Sequence, residues 1–144
     1  MTGEGRLIDT NVLVHAYVLI ESKKNIRARA LLRQIWKHGS GITSLQNLCE
    51  FVVVVTRKVE RPMSLTRAKS IVSTILNSPK WDVIDRDPIT LPKAIDLVSR
   101  FKIPFWDALL AALMLEHNIR IVVTENEKDF KKVRGLVVVN PFKS

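Results

Sequence analysis

Nearly every segment of this chain that reads as a strand is apolar throughout, with little alternation of polar and apolar residues. Arg6 to Asp9 carries Leu7 and Ile8, Ile42 and Thr43 make a very short second run, and Trp81 to Ile84 a third. Ile119 to Thr124 is β-branched and uncharged after Arg120, and Leu136 to Val139 follows Gly135. A strand that is apolar on both faces must be covered on both, which a parallel sheet between two layers of helices achieves.

The intervening stretches carry helical spacing. Asn11 to about Glu21 repeats Val12, His15, Ala16 and Leu19, and Asn25 is placed to cap a second helix to about His38, stopped by Gly39 and Gly41. Ser44 suits the cap of a third helix. Phe51-Val52-Val53-Val54-Val55 alone suggests a strand, but Leu45, Leu48, Val52, Val55 and Val59 recur at steps of three and four, so the spacing predicts a helix from Ser44 to Lys58. Leu65 to Leu76, Pro88 to Phe101 and Phe105 to His117 complete the helices. With 144 residues and no repeat or linker, residues 1–144 form a single domain.

Charge is unevenly spread. Twenty-three Lys and Arg against fourteen Asp and Glu leave +9, and no acid lies between Glu21 and Glu50. That interval holds Lys23, Lys24, Arg27, Arg29, Arg33 and Lys37. Such a stretch is the footprint expected of a phosphate-rich partner, or else a solvated helix face. The single cysteine, Cys49, excludes an internal disulfide, and no Cys/His spacing suits zinc, which points to a reducing cytoplasm. Met1 to Arg6 does not resemble a signal peptide, and no apolar run approaches the ~20 residues of a membrane span.

Acids stand at four positions where they are costly. Asp9 ends the first strand at its carboxyl edge, where open parallel sheets bind ligands. Glu50 sits among Leu48, Cys49, Phe51 and Val52, about 140 degrees round the helix from Leu45. Asp107 opens the sixth helix, and Thr124 to Phe130 leaves the fourth strand with Glu125, Glu127 and Asp129. Each has an ordinary explanation: a cap, a first-turn acid complementing the helix dipole, a solvated turn. Together, carboxylates brought to one edge repel each other unless a cation lies between them. All-oxygen donors select a hard ion such as Mg2+ or Mn2+, the kind that serves phosphoryl chemistry.

Four motifs, in this order, resemble those of PIN-domain ribonucleases, and within that family the VapC-type toxins of toxin–antitoxin pairs. They are L-I-D-T-N-V-L (Leu7 to Leu13), T-S-L-Q-N-L-C-E-F (Thr43 to Phe51), F-W-D-A-L-L-A-A (Phe105 to Ala112) and T-E-N-E-K-D-F (Thr124 to Phe130). The resemblance implies a three-layer α/β/α sandwich around a parallel sheet of four to five strands, and an acidic pocket for Mg2+ or Mn2+. By position, Asp9, Glu50 and Asp107 match the family's most regular acids. Many relatives carry the fourth acid where this chain has Asn126, so the resemblance shifts that role to Asp129, with Glu125 as substitute. Thr10, Asn11 and Ser44 match residues that hold the pocket. The implied activity is metal-dependent endoribonuclease cleavage of RNA, by a homodimer inhibited by a small antitoxin protein.

Other residues invite other chemistry. His15 lacks a second histidine and Cys49 a matched base, so the former reads as a core or surface residue and the latter as a buried small hydrophobe. Trp36, Trp81 and Trp106 could stack bases, but their apolar settings favour core packing. A PIN nuclease of RNA maturation or decay, and a PIN-like module that binds RNA or protein without cutting, are the alternatives. A phosphatase with an aspartyl nucleophile ranks last, because Asn11 stands where its second acid is required.

Overall fold

A computed structural model describes residues 4–143; the start of the Met1 to Arg6 stretch, and Ser144, lie outside the described residues. Five short strands, β1 (Arg6–Ile8), β2 (Gly41–Ser44), β3 (Trp81–Ile84), β4 (Ile121–Val123) and β5 (Val137–Val139), form one parallel sheet in the order β3-β2-β1-β4-β5. The helices are α1 (Thr10–Tyr17), α2 (Lys23–His38), α3 (Leu45–Val53), α4 (Leu65–Asn77), α5 (Thr90–Phe101), α6 (Phe105–Glu116) and the single turn α7 (Glu127–Phe130).

Alternation along the strands splits the core into two layers. Ile8 and Val123 face the helices α1 to α4, packing with Val12, Leu13, Leu48 and Phe51. Leu7, Ile42 and Val122 face the other way, onto Leu110, Met114 and Phe130. Leu7, Ile8 and Val122 have no exposed surface, so the central strands are covered on both faces as the apolar runs require. Strand β5 is an edge: Val137 and Val139 remain 46% and 41% exposed.

The sandwich with five parallel strands agrees with the expected fold, and the departures are local. Helix α1 ends at Tyr17 rather than near Glu21. The cap of α2 is Ser22, whose hydroxyl accepts from Asn25 N–H, while the buried Asn25 amide donates to the carbonyl of His15 and ties α2 to α1. The third helix is helical, but it loosens into a π-turn over Val54–Lys58, and Leu45 stays 41% exposed instead of joining the core. Cys49 is exposed, not a buried hydrophobe. Trp36 and Trp81 pack edge to face at 6.0 Å, but Trp106 is 59% exposed and is not a core residue. Gly39 ends α2 at φ +85°, and Gly41 lets α2 press onto β2, where a Cβ would fall 2.5 Å from Ile35 Cγ2.

The chain runs β1 to β2 to β3 on one side, then returns to place β4 on the other side of β1. The carboxyl ends of β1 and β4 therefore flank a topological switch point, the place where open parallel sheets form a ligand crevice.

Candidate metal centre at the carboxyl edge of the sheet

Asp9 follows β1 directly and caps α1. Its backbone N–H still bonds Val123 O at 3.0 Å, so the residue is pinned between β1 and β4. One carboxylate oxygen, Oδ1, accepts from Thr10 N–H at 2.8 Å and from Asn47 Nδ2 at 3.1 Å. The other, Oδ2, accepts from the Thr124 hydroxyl at 2.8 Å and Asn11 Nδ2 at 3.4 Å. Burial raises the Asp9 pKa despite these donors, and the Glu50 charge adds to the rise. The ordinary explanation, a helix cap, thus holds for Asp9, but it leaves an uncompensated charge.

Helix α3 carries the next acid. The Ser44 hydroxyl accepts from Asn47 N–H and the Asn47 side chain accepts from Ser44 N–H, a reciprocal cap that fixes the helix start. This fixes the Asn47 amide between Asp9 and Thr10. One turn on, Glu50 reaches the same space, accepting from Gln46 Nε2 at 3.0 Å and, through its second oxygen, from the Thr10 hydroxyl at 3.4 Å. Glu50 is therefore less isolated than its apolar sequence neighbours suggest.

Asp107 lies in the first turn of α6, where the helix dipole favours a carboxylate. Its pKa is nonetheless raised to about 6, first by desolvation and then by the charges of Asp9 and Asp129. Asn126 donates to Asp107 Oδ2 at 3.1 Å and to Asp129 Oδ2 at 3.4 Å, bridging the two carboxylates with a neutral amide. Thr124 fixes that bridge: its Oγ1 accepts from Asn126 N–H at 3.0 Å while donating to Asp9.

Asp9, Glu50 and Asp107 line one narrow cleft of about 70 Å³, together with Ser44, Asn47 and Asp85. Asp129 stands behind Asp107, outside the lining, and reaches the site through Asn126. Glu125 turns away. Its carboxylate pairs with Lys24 Nζ at 2.8 Å and His15 Nε2 at 3.2 Å; burial opposes ionisation, but these two partners lower its pKa overall. His15 thus braces the loop after β4 and stands apart from the cleft.

The chemistry of the donor set fits a hard divalent ion. The donors are oxygens, and among the described residues no Lys or Arg pairs with Asp9, Glu50, Asp107 or Asp129. Desolvation first and neighbouring carboxylates second raise the pKa values of Asp9 and Asp107, and a cation in the cleft offsets both costs. The carboxylates stand as two hydrogen-bonded pairs, Asp9 with Glu50 through Thr10 and Asp107 with Asp129 through Asn126. Among the described residues, no three acidic, imidazole or thiol side chains meet at a single point. The cleft, at about 70 Å³, has room for an ion with part of its water shell.

Sequence reading named Asp9, Glu50, Asp107, Asp129, Thr10, Asn11 and Ser44. It passed over Asn47, Thr124, Asp85 and the bridging role of Asn126. The S-x-x-N spacing of Ser44 and Asn47 is a capping signal that points to Asn47. Nothing local marks Asp85, which reaches the cleft only because β3 lies beside β2.

A PIN domain family model matches residues 6–136. The chain belongs to the PIN domain family. Among solved structures, this PIN domain is similar to a toxin–antitoxin complex from Klebsiella pneumoniae, at 21% identity and TM-score 0.68, covering 95% of this chain and 98% of that one. It is similar to VapC20 of Mycobacterium tuberculosis, described as a sarcin-ricin loop cleaving toxin, at 18% identity and TM-score 0.71, over 92% and 97% of the two chains. It is also similar to VapBC2 of Rickettsia felis bound to a promoter DNA fragment, at 21% identity and TM-score 0.67, over 94% and 97%. A search of curated protein sequences gives no match. At these identities the likeness describes the fold of the PIN domain, which each of the three shares over nearly its whole length.

Proposed function

We propose that the chain is a Mg2+- or Mn2+-dependent endoribonuclease and the toxin of a toxin–antitoxin pair, acting in the cytoplasm as a homodimer. The observation that carries this reading is the cleft at the switch point. There Asp9, Glu50 and Asp107 line one cleft without a salt-bridge partner among the described residues, and the Asp107 pKa is raised to about 6. Membership of the PIN family and the likeness to toxin structures support the choice of nucleic acid and of toxin function. The net charge of +9 suits a polyanionic substrate. No helix among the described residues is long and apolar enough to cross a membrane.

Asp9, Glu50 and Asp107 hold the ion in this reading, with Asp129 adding charge from behind Asp107. A divalent cation there supplies a water of lowered pKa and neutralises charge on the scissile phosphate. The chain's own groups supply the orientation. Thr10, Asn47 and Thr124 fix both oxygens of Asp9, and Asn126 fixes Oδ2 of Asp107. These donors are neutral, so they position the carboxylates without cancelling their charge. In this reading an antitoxin segment would bind the groove at the far end of α1, about 510 Å³, lined by Leu32, Trp36 and Tyr17 together with Arg29, Arg33 and Arg67. That surface suits an apolar segment with acidic flanks.

Cleavage of a panel of structured RNAs tests the reading. Wild type should cut with Mg2+ or Mn2+ and stop with EDTA, while Asp9→Asn, which keeps size and removes charge, should lose the activity. Equal cleavage by both, or cleavage in EDTA, would overturn it.

A further inference from the structure

Trp106 is the residue the core does not explain. It sits in the first turn of α6 beside Asp107 and is 59% exposed, packed edge to face on Phe105 at 5.3 Å. Together with Arg86 and Leu109 it lines both the acidic cleft and a second, open pocket of about 420 Å³, whose walls also include Pro88, Leu91 and Phe105. The cleft, at about 70 Å³, is too small for a nucleotide, whereas the second pocket lies in the usual size range of ligand sites, roughly 300–1,000 Å³. Arg86 spans the two. Its guanidinium donates to Gln46 Oε1 at 3.1 Å, and Gln46 Nε2 donates to Glu50 Oε1 at 3.0 Å, so the cation is tethered at the cleft mouth without neutralising Glu50. The other charged group of that wall, Asp87, is exposed and accepts from the N–H groups of Ile89 and Thr90.

Resting on the nuclease reading, we propose that Trp106 and Arg86 form a nucleobase subsite: the base beside the scissile phosphate stacks on the Trp106 ring, and Arg86 takes a neighbouring phosphate. An indole face offers every base a stacking partner, and an arginine supplies the phosphate contact that the acidic cleft cannot. The continuity of the pocket with the cleft favours a substrate base over a second protein copy as its occupant. The shelf then holds the nucleotide next to the cut whatever its base, and Trp106 acts through binding rather than through the bond-breaking step.

The test uses Asp9→Asn chain, which does not cut, and a single-stranded RNA of mixed sequence. RNA should quench the emission of the exposed Trp106, and the quench should vanish in Asp9→Asn/Trp106→Ala, where Trp36 and Trp81 remain packed on each other. With the cleaving chain and Mn2+, Trp106→Ala should raise KM by about 5- to 150-fold with kcat little changed, and Trp106→Phe should restore most of the binding. An unchanged quench, an unchanged KM in Trp106→Ala, or conversion of a dimer to a monomer by Trp106→Ala with RNA binding intact would overturn the subsite. Failure of wild type to cut any RNA while the Trp106-dependent quench persists would overturn the nuclease reading and leave the subsite standing.

Discussion

Replacing Asp107 by Asn should make the metal-free protein more stable. At pH 7.5 the ionised Asp107 is desolvated and faces the charges of Asp9 and Asp129, which raise its pKa from 3.8 to about 6. A shift of about two units corresponds to roughly 3 kcal/mol if taken at face value, but the side chain is only half-buried, so screening reduces the relief to about 1–2 kcal/mol. Asparagine keeps the acceptor for Asn126 and gives up the favourable helix-dipole contact, about 0.5 kcal/mol. The net gain is about 1 kcal/mol, or roughly 3 °C in Tm for a domain of this size. The sign with pH follows from the raised value. Asp107 is neutral in both folded and unfolded chains below about pH 4; its destabilisation builds as pH rises above that value and is complete above about 6. Melting curves of wild type and Asp107→Asn in EDTA should therefore separate at pH 7.5 and converge at pH 4. A variant that melts lower than wild type at pH 7.5 would refute the electrostatic account of this cleft.

Three further outcomes follow from the same geometry. Asn47→Ala removes the reciprocal cap of α3 and a donor to Asp9, and should cost about 2–3 kcal/mol in a denaturant melt; a loss below about 0.5 kcal/mol would show the cap to be dispensable. Protons and the cation compete for Asp107, so Mn2+ affinity measured by calorimetry should fall as pH drops through about 6, and an affinity independent of pH from 5 to 8 would exclude Asp107 from the site. Glu125→Gln disrupts a partly exposed bridge to Lys24 and His15 and should change stability by less than about 1 kcal/mol while leaving Mn2+ affinity within a few-fold of wild type; loss of the metal would place Glu125 among the ligands.

The layers were legible because apolar runs and helical spacing obey local rules. Ile8 and Leu7 point to opposite faces by strand geometry alone, and Ser44 and the glycines mark helix ends by their own chemistry. What escaped depends on tertiary context. Asn25 has the composition of a cap, yet it is one turn inside α2 because Ser22 precedes it and the His15 carbonyl needs a donor. Trp106 carries an apolar neighbourhood in sequence, but α6 turns that position toward the cleft while Leu110 and Met114 take the core face. In the site, the acids stood out as charges in apolar stretches. Asn47, Thr124 and Asn126 did not, since a neutral side chain that positions a carboxylate has no signature until its partner is known.

The central claim is that the carboxylates of Asp9, Glu50 and Asp107 share one divalent ion. Anomalous scattering from crystals of the wild-type chain soaked in Mn2+ tests it most directly. The account predicts a single strong peak in the cleft, at roughly 2.1 Å from oxygens of at least two of these three residues, and no such peak in Asp9→Asn. Saturating Mn2+ that leaves the cleft without a peak, or that binds only elsewhere on the surface, would contradict it.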